Sequence, residues 1–365
     1  EILTENPDLL NQKNQDALTP LNLAAQRGDP EMVTLLLDMG ADHSQGDNEN
    51  SMPIHLAAIS GSKECLDLFL EHGIDIDIQD DNGNTALLFA LMYRQPDIAD
   101  HLIDQGADIN LGNYRGWTAL QAAVVGGNLE MVKTLVDNKA DVNHQIEGGI
   151  APLHSAASYG HLDIAVYLVD HGARVDIETD RGEQPLCWAR NPNTYALAEY
   201  LIEKGADVNH KNNRKQTALH NVAGGSSPVV ARLLLDKGAN INAPDQDGRT
   251  PLTFAAWSRD PDEMSKFLIL NGADVNPDPC KEDKTCSCGP AWATPLHVAA
   301  RHGQLAMVKN LVFNGARVNI FNNEGLTPLH CAVLNGNEEV ITSLLEHGAF
   351  VNVAERNIGS TELHL

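Results

Sequence analysis

The sequence has few aromatic residues and few basic ones. It contains four Trp, six Tyr and seven Phe among 365 residues, and 25 Lys and Arg are outnumbered by 50 Asp and Glu, which gives a net charge of -25. A surface that acidic repels phosphate backbones and anionic lipid headgroups. We therefore expect neither nucleic-acid binding nor membrane attachment, and we expect partners with basic segments to be favoured.

Long apolar runs and a regular cysteine framework are also missing. The apolar stretches Ile74–Ile78 and Leu87–Met92 are far too short to span a bilayer. Residues Glu1–Asn11 lack the basic start and apolar middle of a signal peptide. The six cysteines follow no even spacing, which is typical of a reducing compartment. These features predict a protein of the cytoplasm or nucleus without membrane insertion.

The common catalytic and cofactor motifs are absent from the sequence. There is no G-x-S-x-G, no H-E-x-x-H, no phosphate-binding G-x-x-x-x-G-K-[ST] and no C-x-x-C. The segment Asp80–Gly83 mimics part of a calcium loop, but aligning Gly83 with the glycine of that loop places Ile78 at the first ligand position. No pair of carboxylates outside the loops suggests an acid and base couple. We expect a protein that is not an enzyme and needs no cofactor.

A short motif that begins with Thr, Pro and Leu recurs along the chain. Eight starts follow one another at offsets of 33 residues: Thr19, Met52, Thr85, Thr118, Ala151, Gln184, Thr217 and Thr250. The next start, Thr294, comes 44 residues later and is followed by Thr327 and Thr361. This period indicates ten full repeat units, with partial units at both ends, in an array that grows in one dimension.

Each unit contains the signals for two helices and an extended loop. In the fourth repeat, Thr118 is suited to cap a first helix that ends at Gly127. Apolar residues at helical spacing between Met131 and Val136 predict a second helix. Segments rich in Asp, Asn and Gly, such as Asp80–Gly83, predict hairpin-like loops between the units.

These units resemble the ankyrin repeat in their 33-residue length and in the signature T-P-L-H, as at Thr294–His297. The resemblance implies an all-α fold, namely an ankyrin-repeat solenoid of stacked antiparallel helix pairs with projecting hairpin loops. It implies a concave face made by the loops and the first helices. It also assigns structural rather than catalytic roles to the histidines of the signature, which are His55, His154, His220, His297 and His330.

The resemblance divides the chain into five segments. We expect a partial repeat over residues 1–13, repeats 1–8 over 14–276, an insertion over 277–288, repeats 9–10 over 289–355 and a truncated repeat over 356–365. Because solenoid ends normally carry polar capping units, we expect the chain to be a fragment of a larger multidomain protein.

Two departures from the pattern attract attention. The insertion contains Cys280, Cys286 and Cys288, whose thiolates could bind zinc, but a fourth ligand is missing. Reduced thiols in a loop that contacts a partner are the preferred interpretation, and no metal site is predicted. Residues 184–226 also depart from the repeat, so a local bend and ordinary sequence drift both remain open.

Aromatic and basic residues near the concave positions predict a partner-binding surface, because Trp, Tyr, Met and Arg are enriched in interfaces. The first group lies in repeats 3–5 and comprises Met92, Tyr93, Tyr114, Trp117, Val125, Ile150 and Tyr159. The second group flanks the insertion and comprises Arg249, Trp257, Arg259, Trp292, Arg301 and His302. We expect Trp188, in contrast, to be part of the core.

The sequence therefore predicts a monomeric, non-enzymatic scaffold that binds a peptide or protein on its concave face. The alternative is a targeting arm of an enzyme complex, such as a ubiquitin-ligase receptor, a kinase or a bacterial effector. The asparagines that follow Val or Ile resemble positions that asparaginyl hydroxylase modifies in ankyrin proteins, and the other interpretation is a buried loop asparagine; these are Asn110, Asn143, Asn209, Asn242, Asn276, Asn319 and Asn352.

Overall fold

The computed structural model describes residues 7–258, 260–278 and 293–351. The chain divides into two compact units, of which the first contains residues up to 156 together with 163–173, and the second contains 157–162 and the residues from 174 onward. The predicted sites at Arg259, Cys280, Cys286, Cys288, Trp292 and Asn352 lie outside the described residues, as does the truncated repeat over 356–365.

The described ranges contain 19 α-helices and no strand. The first helices of the repeats are α1 (Pro20–Arg27), α3 (Pro53–Ser60), α5 (Ala86–Met92), α7 (Ala119–Gly126), α9 (Pro152–Tyr159), α12 (Ala218–Gly224), α14 (Pro251–Ala255), α16 (Pro295–Arg301) and α18 (Pro328–Leu334). The second helices are α2 (Pro30–Asp38), α4 (Lys63–Glu71), α6 (Pro96–Asp104), α8 (Leu129–Asp137), α10 (Leu162–Asp170), α11 (Tyr195–Glu203), α13 (Pro228–Asp236), α15 (Asp262–Leu270), α17 (Leu305–Phe313) and α19 (Glu338–Glu346). The prediction of an all-α repeat solenoid is confirmed.

Capping residues close in sequence determine where these helices begin and end. Thr118 precedes α7, and its hydroxyl accepts a hydrogen bond from the Gln121 N–H, which satisfies a backbone donor of the first turn. Gly127 ends the helix in the left-handed conformation at φ +70°. The Asn128 side chain then caps α8 by accepting a hydrogen bond from the Met131 N–H at 3.1 Å. The same short signals recur at the ends of most helices, which is why the repeat spacing predicts the helix starts.

Within each unit, helices pack on the equivalent helices of the next repeat. In the first unit α1, α3, α5 and α7 pack in succession, and α2 packs on α4 and α6 on α8. Their buried faces contribute fully buried leucines such as Leu120 and Leu135. Each such side chain stabilises the fold by about 1.5–3 kcal/mol. The core is therefore a continuous layer between neighbouring repeats.

The loop asparagines join successive repeats through two hydrogen bonds. The Asn209 side-chain amide donates to the Gly238 carbonyl at 3.0 Å, and its carbonyl oxygen accepts from the Asn240 N–H at 2.8 Å. Asn110, Asn242, Asn276 and Asn319 make the same pair of bonds to the following repeat. We call this arrangement the asparagine clasp. The alternative interpretation as buried loop asparagines needs correction, because these side chains are exposed or half-buried and still satisfy both hydrogen-bonding groups.

The repeats on either side of the insertion pack directly on each other. Helix α14 packs on α16, and α15 packs on α17. The Asn276 side chain donates to the Gly315 carbonyl at 2.9 Å, and the Gln304 side chain donates to the Ser258 carbonyl at 3.2 Å. The extra residues therefore leave the stacking of the eighth and ninth repeats uninterrupted.

The sixth repeat replaces its first helix by two short 3-10 helices, Pro185–Trp188 and Pro192–Thr194. The Asn221 side chain of the next repeat donates to the Cys187 carbonyl at 3.1 Å and so satisfies an acceptor that the shortened helix leaves available. Trp188 is half-buried rather than fully buried, and its indole N–H donates to Glu183 at 3.1 Å.

No helix in the described ranges is long and apolar enough to cross a membrane.

Candidate functional site

Two adjoining recesses lie between the third and fourth repeats in the first unit. The recess on the loop side has a volume of about 480 Å³ and includes Tyr114 and Arg115 in its wall. The recess on the helix side has a volume of about 520 Å³ and includes Arg94 and Val125. Met92, Trp117 and Ala122 line both recesses. We call the two adjoining recesses together the repeat 3–4 groove.

The apolar floor of the groove comes from one repeated position on the first helices. Met92 is the last residue of α5, and its side chain is 59% exposed. Val125 occupies the equivalent position one repeat later, near the end of α7, and Ile59 occupies it one repeat earlier. Both are half-buried. An apolar side chain therefore stands at this position in three successive repeats.

The aromatic side chains of the groove are held by the hairpin loop over residues 113–117. The side-chain oxygen Oδ1 of Asn113 accepts hydrogen bonds from the backbone N–H groups of Arg115 and Trp117, each at 3.0 Å. The Asn113 amide donates to Asn84 of the preceding loop at 2.9 Å. The Tyr114 N–H donates to the Asn82 carbonyl at 3.1 Å. These bonds fix the positions from which Tyr114, 72% exposed, and the half-buried Trp117 project.

The charged residues of the groove are distributed unevenly. Asp81 and Arg115 line the loop-side recess, whereas Arg94 is the one charged residue that lines the helix-side recess. Arg94 has φ +58°, in the left-handed region that favours glycine. Within the described part of the chain neither arginine takes part in an ion pair, so both guanidinium groups are available for a ligand.

Three predicted residues of the first group lie outside these recesses. Tyr93 follows α5 and stacks on Phe89 with ring centroids 6.2 Å apart. Half-buried Ile150 forms an isolated bridge with Ile146, whose N–H donates to the Ile150 carbonyl at 3.0 Å. Tyr159 is 58% exposed and stacks on His161 with ring centroids 5.9 Å apart. The structure thus brings together Met92, Tyr114, Trp117 and Val125 but not the remaining three.

A smaller pocket of about 160 Å³ lies in the second unit. Its walls include Arg249, Trp257, Arg301 and His302 from the second predicted group, and also Glu324. The Arg249 guanidinium lies 5.1 Å from the centre of the Trp257 ring. Arg301 forms a 3.4 Å ion pair with Glu324.

Arg249 is less available to a partner than its sequence position suggests. Its guanidinium contacts Asp245 at 2.7 Å and Asp247 at 2.6 Å, and its side chain is 13% exposed. Both guanidinium partners are carboxylates of its own loop. Arg249 therefore holds this loop and the Trp257 ring in place, and the local surface is less basic than predicted.

Buried titratable groups surround this pocket but are unsuited to catalysis. Burial raises the pKa of the Cys331 thiol to about 12 and lowers the pKa of His297 to about 4. The His297 ring accepts a hydrogen bond from the Thr294 N–H at 3.2 Å, which is the structural role expected from the repeat signature. No group of three or more His, Cys, Asp or Glu side chains among the residues with assigned positions could hold a metal ion.

Arg94 and Arg115 also line the groove, and their residue type and repeat position do not predict this. For Arg94 a signal was present, because the first helix is followed by glycine at Gly28, Gly61 and Gly127 in three of the neighbouring repeats. An arginine at a position that favours glycine carries a conformational cost, and Arg94, unlike Lys139 at φ +73°, combines that cost with a place in the wall of a recess, which makes it a candidate for function.

Comparison with known protein families supports the interpretation of the repeats. A family model described as ankyrin repeats (3 copies) matches residues 1–80, 75–146, 143–212, 190–279 and 280–355. These matches cover nearly the whole chain. No curated protein matches the sequence.

Proposed function

The chain belongs to the ankyrin-repeat family, whose repeats are generally protein–protein interaction modules, and from that premise we propose that it is a non-enzymatic scaffold that binds a peptide segment of a partner protein. The binding site is the repeat 3–4 groove on the concave face. We place the protein, as a monomer, in the cytoplasm or nucleus.

The observation that carries this proposal is the clustering of scarce residue types. Trp117, Tyr114 and Met92 converge on two adjoining recesses in a chain that contains only four Trp and six Tyr. Large exposed aromatic and sulfur-containing side chains are the usual anchors of protein interfaces. Burying one apolar side chain of a partner in such a recess contributes about 1.5–3 kcal/mol.

Preorganisation supports peptide binding at this place. The Asn113 hydrogen bonds and the packing of α5 on α7 fix the backbone that carries the anchors before a ligand arrives. Little backbone entropy is then lost on association, which favours affinity. The overall charge of -25 accelerates the approach of partners that carry basic segments elsewhere.

The pocket beside Trp257 is a separate candidate contact in the second unit. Trp257 is 42% exposed, and Arg301 and His302 are exposed beside it. We assign these three residues to partner contact and Arg249 to positioning Trp257.

Selection from a random peptide library displayed on phage tests the groove. The probe is the strongest selected peptide, labelled with fluorescein, and its affinity is measured by fluorescence anisotropy. We expect Trp117→Ala to weaken binding at least about tenfold, because truncating a central aromatic anchor typically costs 2 kcal/mol or more. Met92→Ala should also weaken the binding of this peptide.

Phe313→Ala is the matched control, since it also removes an exposed aromatic side chain but lies in the other unit and belongs to neither predicted group. Circular dichroism verifies that each variant is folded. Equal affinity of wild type and folded Trp117→Ala for every selected peptide would contradict the assignment to the groove.

A further inference from the structure

Arg94 stands at a position where most other repeats have a glycine. The equivalent residues are Gly28, Gly61, Gly127, Gly160, Gly303 and Gly336, and each has a positive φ. Arg94 adopts the same left-handed conformation at φ +58°, which an L-residue other than glycine adopts only at a conformational cost. Its side chain is exposed and makes no hydrogen bond or ion pair within the described ranges. Neither of these two kinds of interaction therefore offsets the cost.

The side chain of Arg94 lies where it can meet a bound ligand. It lines the helix-side recess beside Met92, Trp117 and Val125, and this recess contains no carboxylate. Gln95 and Pro96, at the N-terminus of α6, line the same recess, and Gln95 provides no side-chain cap to that helix. Asp97 in the first turn of α6 offsets the positive end of the helix dipole, so the Arg94 guanidinium is the positive group that a ligand meets in this recess.

The loop-side recess differs in its electrostatics. Asp81 and Arg115 both line it, so the two formal charges there cancel. A negative group on a ligand is therefore favoured at the Arg94 end of the groove and not at the Tyr114 end. This asymmetry fixes where along the groove a carboxylate belongs.

We propose, building on the proposed function, that the groove selects a segment in which an apolar side chain is close to an Asp or Glu side chain. The apolar group enters the recess between Met92 and Trp117, and the carboxylate accepts hydrogen bonds from the Arg94 guanidinium. A guanidinium offers two parallel N–H donors that match a carboxylate. Arg94 is thus a specificity-determining residue in a protein whose overall charge favours basic partners.

Two glycine variants separate this role from backbone strain. Arg94→Gly removes the guanidinium and relieves the left-handed conformation. Lys139→Gly is the matched control, because exposed Lys139 has φ +73° at a place where Gly40, Gly73, Gly106 and Gly172 stand in other repeats, and it does not line either recess. Both variants remove one positive charge from the same unit.

The probes are the fluorescein-labelled peptides selected on the wild-type chain for the groove test, together with versions in which each Asp or Glu is changed to the amide. We expect Arg94→Gly to weaken the binding of the selected peptides that contain Asp or Glu at least about fivefold, which corresponds to about 1 kcal/mol. Lys139→Gly should leave their affinity unchanged, while both variants raise the midpoint of thermal unfolding. The amide peptides should bind wild type and Arg94→Gly equally.

The outcomes distinguish this inference from the function on which it rests. Peptides that depend on Trp117 but bind Arg94→Gly as tightly as wild type would overturn the inference alone. An equal loss of peptide affinity in Arg94→Gly and Lys139→Gly would show that the effect comes from long-range charge. That result would also overturn the inference. A peptide with a free C-terminal carboxylate but no Asp or Glu that responds to Arg94→Gly would assign the site to chain termini instead. A library that yields no Trp117-dependent peptide would overturn both proposals.

Discussion

The ring of Tyr114 lies against the backbone of Gly83, where an added Cβ atom would be 2.8 Å from Tyr114 Cδ1 and 2.7 Å from its backbone nitrogen. Gly83 also has φ +81°. This glycine therefore serves two purposes, because it permits the turn of its own loop and leaves room for the neighbouring loop that carries Tyr114.

Gly83→Ala should destabilise the protein and weaken peptide binding in the groove. The left-handed conformation costs about 1 kcal/mol for alanine, and the displaced Tyr114 adds to that cost. Gly73→Ala is the matched control, since Gly73 has φ +80° but no atom within 4 Å of the added Cβ. Urea denaturation of both variants isolates the contribution of the contact. Equal midpoints for the two would show that Tyr114 relaxes without cost.

Arg249→Ala should destabilise the second unit far more than Arg301→Ala. The Asp245 side chain is fully buried; without Arg249 it keeps the backbone hydrogen bonds from positions 247 and 249 but loses its ionic partner, at a cost of about 3 kcal/mol. The pair of Arg301 with Glu324 is half exposed, and such pairs contribute about 0–1 kcal/mol. Denaturation monitored by Trp fluorescence measures both variants. A similarly small decrease in the free energy of unfolding for both variants would contradict the structural role of Arg249.

His297 should make stability depend on pH. Burial lowers its folded-state pKa from the ordinary 6.5 to about 4, so the folded state favours the neutral ring. The unfolded chain binds a proton first as the pH falls, so the free energy of unfolding decreases from about pH 6.5 down to about pH 4 and levels off below. The shift corresponds to about 3 kcal/mol at 1.36 kcal/mol per pH unit.

His297→Asn should reduce this pH dependence while keeping the helix cap, and part of it should remain because burial also lowers the pKa of His220 to about 4 and lowers the pKa of His55. Asn22 stands at the equivalent position in the first repeat, and its side chain accepts the Thr19 N–H at 2.9 Å. The reciprocal variant Asn22→His should steepen the dependence. Urea midpoints measured between pH 4 and pH 7 test both variants. An unchanged slope in His297→Asn would show that other groups control the acid sensitivity.

The regular parts of the fold could be predicted from sequence because their causes are local. Thr118 and Gly127 fix the ends of α7 through contacts within a few residues, and the 33-residue period carries this rule to the other repeats. The sixth repeat was recognised as irregular from residues 184–226. The 3-10 helices of this repeat and the hydrogen bond from Asn221 to Cys187 depend on how two repeats pack against each other. The spacing of motifs along the sequence does not predict that packing.

The candidate site was only partly predictable for the same reason. Met92, Tyr114 and Trp117 were chosen by residue type and repeat position, and the structure places them together. The pairing of Arg249 with Asp245 and Asp247 arises from the folded loop, so a sequence count of basic residues overstated the charge of that surface. The sequence signal for Arg94 is the absence of the glycine that neighbouring repeats have at this position, and not an aromatic residue.

The asparagine clasp at Asn276 shows that linker length and stacking register are independent. Asn276 reaches Gly315 across 39 positions, whereas Asn209 makes the equivalent bond to Gly238 across 29. Side-chain recognition between repeats, rather than the length of the connection, sets their alignment. The junction after the eighth repeat is therefore a natural place for protein engineers to exchange one inserted sequence for another, such as an epitope or a biosensor element.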